Sequence, residues 1–231
     1  MKVAVFNGSP RKGNTYTVTR MFLEELAKCG ELEETEFSFP KDMPEFCTGC
    51  QQCLRGPRKN CPHADSVDPV YEAIMSADAL VFAVPHFGAS CMPGSMKTIF
   101  DHLAYMEMTV APRKECFLKK AFILTTGSGS KQNIRIIKSC LMNWGINRVQ
   151  SFGIRMLTDK WTSIPGRRQA KLEKSVRKAA RRFCSLRKGI PYPRTVVMYY
   201  LNRLIIRKFF GEGSYTYEYW KENGYFEKPP F

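Results

Sequence analysis

Short apolar runs alternate with helix-periodic segments along most of this 231-residue chain, and that alternation constrains its fold more than any other feature. The first run covers residues 2–6. Residues 15–28 follow, with Val18, Met21, Phe22, Leu23 and Leu26 at helical spacing, and then residues 35–39, which alternate as a strand. The pattern next predicts a helix over 67–75, a buried strand over 79–84, and a helix over 93–105 opened by Pro93, Gly94 and Ser95. A strand within 117–126, a helix over 131–143, a fifth strand over 149–155 and a helix over 169–186 complete it. Strands separated by helices return by crossovers, so the sheet is expected to be parallel and covered on both faces. The length suits one main domain with an appendage.

In such a sheet ligands bind beyond the carboxyl ends of the strands, where strand order reverses, so the loops after the first, third and fourth strands matter most. The first reads Asn7-Gly8-Ser9-Pro10-Arg11-Lys12-Gly13-Asn14-Thr15. Backbone amides at the start of the next helix can hold a phosphate, Ser9 and Thr15 add hydroxyls, and Asn14 is expected as the N-cap. The loop approaches the pattern Gly-x4-Gly-Lys-Ser/Thr, but Asn14 stands where the lysine would reach the outer phosphates. A monophosphate is the better fit than a triphosphate. The spacing does not make a dinucleotide Gly-x-Gly-x-x-Gly either.

Between the second strand and the next helix lies Cys47-Thr48-Gly49-Cys50-Gln51-Gln52-Cys53, followed after a gap of seven residues by Cys61-Pro62. Thiols at every third position can converge on one inorganic centre, and the fourth returns across a loop containing Gly56 and Pro57. The run is similar to the bacterial ferredoxin pattern for a 4Fe-4S cluster, in which the last gap is shorter. Zinc ranks second, because zinc sites usually pair two separate Cys-x-x-Cys knuckles. A redox disulfide and cysteines that bind nothing are the other readings, and His63 is a candidate replacement ligand. Nine cysteines, an odd and scattered number, with no signal-peptide pattern at Met1-Lys2-Val3-Ala4, point to a reducing cytoplasm.

The loop after the third strand runs from Val84-Pro85-His86-Phe87-Gly88-Ala89 through Pro93-Gly94-Ser95-Met96-Lys97 to Asp101-His102. Together with Gly8-Ser9-Pro10-Arg11-Lys12-Gly13-Asn14-Thr15 it resembles the flavodoxin-like NAD(P)H-dependent FMN reductases. Those proteins carry Gly-Ser-x-Arg-x-x-x-Ser/Asn-Thr and Pro-x-Tyr-x-x-x-x-x-Gly-x-x-Lys-x-x-x-Asp-Arg at these places; Phe87 replaces the usual Tyr and His102 the usual Arg. The resemblance covers roughly residues 1–155. With the cysteine run between the two motifs, the chain is most similar to the iron-sulfur flavoprotein branch, whose Cys-x2-Cys-x2-Cys-x4-7-Cys loop follows the second strand.

The resemblance implies an α/β, flavodoxin-like, doubly wound five-stranded parallel sheet of order 2-1-3-4-5. The chain as a whole is expected to divide into an FMN-binding domain over 1–188, with the cysteine loop at 43–66, and a helical, aromatic-rich extension over 189–231 that packs on the domain or on a partner subunit. Ser9, Arg11, Gly13, Asn14 and Thr15 would surround the FMN phosphate; Pro85, His86, Phe87, Gly88 and Ala89 would line one side of the ring; Thr126, Gly127, Ser128 and Gly129 would complete the pocket. Cys47, Cys50, Cys53 and Cys61 would hold a 4Fe-4S cluster. NAD(P)H would supply hydride to the flavin, which would pass electrons to a small-molecule or protein acceptor. A cluster-free reductase of quinones, nitro compounds or free flavin is the alternative. A homodimer or homotetramer is expected.

Net charge is +15. Residues 167–188 hold ten Lys or Arg against Glu173 alone, a local balance of +9 that leaves +6 for the rest. Leu172, Val176, Ala179, Ala180 and Phe183 give this helix an apolar stripe, so its basic side reads first as a solvated face and second as an attractor of anionic partners. A nucleic-acid or membrane-surface module would not explain three ligand-like loops at strand ends, so no nucleic acid is expected. A redox sensor remains the nearer alternative. No apolar run reaches transmembrane length. Cys91 is read as packing or as approaching the ligand, Cys29, Cys116, Cys140 and Cys184 as packing, and Lys97 with Asp101 as an ordinary helical pair. Residues 195–210 form an expected amphipathic helix, and the aromatic tail after it would pack on its own domain or on a second subunit.

Overall fold

The structure, a computed structural model, describes residues 1–87, 91–128, 130–156, 158, 160–186 and 191–231. Five strands, β1 (Lys2–Asn7), β2 (Glu33–Ser38), β3 (Ala79–Pro85), β4 (Lys120–Thr126) and β5 (Arg148–Ile154), form one sheet of order β2-β1-β3-β4-β5 with every pair parallel. The helices are α1 (Asn14–Ala27), α2 (Gln52–Arg55), α3 (Ala64–Ser76), α4 (Gly94–His102), α5 (Lys114–Phe117), α6 (Ser130–Asn143), α7 (Gly166–Cys184), α8 (Pro193–Phe209) and α9 (Tyr215–Glu222). Each expected strand and helix is present, with ends shifted by a few residues.

Alternation along each strand sends side chains to two cores. Val3 and Val5 of β1, Val81 of β3 and Phe122 of β4 meet α1 and α7 on one face. Phe22 of α1 stacks on Phe122 at 4.0 Å between centroids, and Phe183 of α7 contacts both rings. On the other face Ala4, Phe6, Leu80, Phe82 and Ile123 pack against α3, α4 and α6 through Val67, Ile74, Ile99, Phe100 and Ile137. Val176, Ala180 and Phe183 are buried as the basic helix's stripe requires.

Two adjacent lysines at the start of β4 tie helices on opposite faces to the sheet. Lys119 donates to the carbonyls of Met75 and Ala77 at the end of α3, and Lys120 to those of Phe183, Cys184 and Leu186 at the end of α7. A cation supplying donors to last-turn carbonyls offsets both the unpaired acceptors and the negative helix end.

The extension folds back on the chain. Tyr199, Ile206, Trp220, Tyr225 and Phe226 make a third core, and Phe231 reaches Phe117 of α5. Tyr219 of α9 donates to the Pro112 carbonyl at 3.1 Å beneath the Arg113 guanidinium, and α9 packs on α2 in the cysteine segment. The expected boundary at 188/189 lies outside the described residues. Among them, no helix is long and apolar enough to cross a membrane.

Candidate functional site

The loops after β1, β3 and β4 converge with the segment after β5 on a cavity of about 420 Å³. Its wall includes Ser9, Arg11, Lys12, Gly13, Asn14 and Thr15 from the first loop, Pro85 and His86 from the second, Thr126 and Gly127 from the third, and Met156, Thr158 and Lys160 from the fourth.

Short bonds fix these loops together. Gly8 N–H donates to the Ala83 carbonyl at 2.9 Å, His86 N–H to that of Thr126 at 2.7 Å, and Gly127 N–H to that of Ile154 at 2.9 Å, so strand pairing continues into the loops. The Thr15 and Thr126 hydroxyls meet at 2.6 Å, joining the start of α1 to the end of β4. Gly127 has φ +120°, and a Cβ there would lie 2.5 Å from His86 Cβ. Only glycine fits both the dihedral and the gap.

The N-terminus of α1 has no side-chain cap among the described residues, and Arg11, Lys12 and Lys160 line the same cavity; first-turn amides, helix dipole and cations all favour an anion. The N-cap is Gly13, not the expected Asn14. Asn14 is the first helical residue, and its Nδ2 donates to the Thr158 carbonyl at 2.7 Å. Ser9 Oγ accepts from Arg11 N–H at 3.2 Å and so closes the turn. Asn14 Oδ1 and His86 Nδ1 are buried without a partner among the described residues. Unpaired polar atoms in a cavity wall suit a ligand that carries its own donors and acceptors. A phosphate with a polyhydroxyl chain and a heteroaromatic ring, as in FMN, matches this wall.

Phe87 is exposed and pairs with Cys91 through its N–H, 3.0 Å from the Cys91 carbonyl, while Ser128 is exposed as well; neither lines the cavity. Gly88, Ala89 and Gly129 lie outside the described residues. The β5 segment was not among the loops singled out from sequence, although Thr158 and Lys160 carry suitable chemistry.

The second site is the cysteine loop. Gly49 at φ +67° and Gln51 at φ 59° coil the chain, and Cys47, Cys50, Cys53 and Cys61 come to line one small space with His63 and His102. Burial pushes the Cys53 thiol up to about 11, with Cys61, Cys47 and Cys50 adding to the shift. Burial also raises Cys61. Three half-buried thiols and the exposed Cys50, all lining one small space, are a donor set that fits a polynuclear iron-sulfur centre. Buried His102 of α4 was read from sequence only as a departure from Arg; the fold brings it to this pocket.

The fold is flavodoxin-like, and the model of the NADPH-dependent FMN reductase family matches residues 1–154. The chain belongs to that family. It is similar to an iron-sulfur flavoprotein of Archaeoglobus fulgidus, with 34% identity over 102 residues covering 44% of this chain and 48% of that protein. An iron-sulfur flavoprotein of Methanocaldococcus jannaschii is 31% identical over 101 residues, 44% of this chain and 50% of the other. The chain thus spans about half the length of the curated relatives it matches. Among solved structures, the NAD(P)H:quinone oxidoreductase from Methanothermobacter marburgensis has a TM-score of 0.58 at 19% identity, covering 78% of this chain and 98% of that one. That likeness concerns the fold.

Proposed function

We propose that this protein is an FMN-dependent oxidoreductase that takes electrons from NAD(P)H and delivers them to a small-molecule or protein acceptor. The observation that carries the reading is the convergence in one cavity of a helix N-terminus flanked by Arg11, Lys12 and Lys160 with the polar wall of His86, Thr126 and Gly127. Bound FMN would accept hydride from the nicotinamide and release electrons onward. The chain's task is positional. Gly13, Asn14 and Thr15 offer first-turn amides to the phosphate, with Ser9 shaping the turn and Arg11 adding charge. Pro85, His86 and Gly127 would set the ring's edge, and the Thr15–Thr126 pair holds the two sides at fixed spacing. No side-chain acid-base pair is required.

The four cysteines support a second electron site. Cys47, Cys50, Cys53 and Cys61 would ligate a 4Fe-4S cluster, letting a two-electron donor serve a one-electron acceptor. Without it the same flavin site would reduce quinones, nitro compounds or free flavin. The protein would work in the cytoplasm as a homodimer or homotetramer, with residues 1–188 as its catalytic domain. Steady-state NAD(P)H oxidation with a quinone acceptor tests the reading: turnover that requires FMN supports it. A flavin-bound protein that reacts once without turning over is instead a redox sensor.

A further inference from the structure

The cysteine pocket contains a pair of imidazoles that a four-cysteine cluster does not need. His102 is only 2% exposed, and its Nδ1 lies 3.2 Å from the Thr98 carbonyl. A carbonyl can only accept, so the ring proton sits on Nδ1 and the lone pair on Nε2. That Nε2 is 3.0 Å from Nδ1 of His63, two residues beyond Cys61. Cys61 Sγ and one nitrogen from each ring lie within 4.8 Å of one another. Ligand atoms around one tetrahedral zinc lie roughly 3.3–3.8 Å apart, given bonds of about 2.0–2.3 Å. Cys47, Cys50 and Cys53 wall the same space.

We propose that, when no iron-sulfur cluster is assembled, this pocket holds a single tetrahedral divalent ion, zinc by its ligand chemistry. Cys61 Sγ, His63 Nδ1 and His102 Nε2 are three ligands, and one thiolate of the cysteine loop is the fourth. The Thr98 carbonyl is the outer partner that fixes the His102 ring in its ligating tautomer. On binding, Cys61 and the loop cysteine each release a proton to solvent, while His63 shifts its ring proton from Nδ1 to Nε2 and both imidazoles bind neutral. Cluster and ion share Cys61, so each excludes the other. The site does not depend on the flavin cavity, which stands at the strand ends and contains none of these residues.

The test uses the full chain, freed of metal with a chelator, kept reduced, and titrated with Co²⁺ as a spectroscopic stand-in for zinc. One Co²⁺ per chain should bind with intense visible bands of a tetrahedral site and a thiolate charge-transfer band, and Zn²⁺ should displace it. His63→Ala and His102→Ala should each weaken binding on the order of tenfold or more. His63 is only half-buried, so its variant keeps the test open if loss of the His102 ring impairs folding. X-ray absorption of the unmutated zinc-loaded protein needs no variant: a mixed nitrogen and sulfur shell supports the site. An all-sulfur shell, undiminished affinity in the folded histidine variants, or no stoichiometric binding overturns it.

Discussion

The hydroxyls of Thr15 and Thr126, 111 residues apart in the chain, meet at 2.6 Å and clamp the first turn of α1 to the end of β4. Both residues are buried in the cavity wall, where each hydroxyl is the other's partner. Thr126→Val keeps the shape and removes the bond. FMN affinity should fall roughly fivefold, about 1 kcal/mol, while the fold persists. A fluorescence-quenching titration measures it, and unchanged affinity would show that the clamp does not shape the site.

Gly127→Ala acts on the same cavity through the backbone. The new Cβ would meet His86 Cβ at 2.5 Å and strain a φ of +120°, at a cost of about 1–3 kcal/mol. The loops after β3 and β4 must separate, so FMN binding should weaken by roughly tenfold with a lowered melting temperature. Paired calorimetry and flavin titration report the two effects separately.

Glu25 of α1 takes bonds from Lys28 at 2.9 Å, Arg177 at 3.1 Å and Arg181 at 2.7 Å, joining α1 to α7. The Lys28 bond, with Arg177 and the nearby charge of Arg181, holds the carboxyl below its ordinary range against an opposing effect of burial. A carboxylate depressed in the folded state stabilises it above the unfolded pKa, and that contribution is lost as pH falls through the folded value. Melting temperature should therefore drop on acidification from about pH 6 to about pH 3, and drop less in Glu25→Gln. Equal slopes would assign the acid sensitivity elsewhere.

Trp220 is fully buried against Tyr199, with ring centroids 5.4 Å apart, in the core of the extension. Trp220→Ala should cost about 3–5 kcal/mol of that unit's stability. Because α9 packs on α2, protease sensitivity of the cysteine segment should rise as well. Denaturant unfolding followed by mass spectrometry of early cleavage sites tests this; cleavage confined to residues 193–231 would show that the extension does not brace the loop.

Local periodicity carried the strand and helix positions because each element buries a stripe or face that its own residues encode, whereas the sheet order came with the family resemblance. Most residues of the first cavity loop were legible for the same reason: a glycine- and hydroxyl-rich turn between strand and helix has few other uses. Asn14 was misplaced by one residue, since Gly13 can cap without a side chain and leaves no signature of its own. The roles of Lys119 and Lys120 and the contact of His63 with His102 depend on elements dozens of residues apart, which no sequence window joins. Lys160 was missed because only three strand ends were read closely, and the tail was left between its own domain and a partner because aromatics suit either.

The central claim is a flavin in the cavity at the strand ends. An absorbance spectrum of the purified protein, after incubation with excess FMN and gel filtration, tests it most directly. The account predicts a retained flavin spectrum at about one FMN per chain, bleached on adding NAD(P)H. Colourless protein that emerges free of flavin would contradict it.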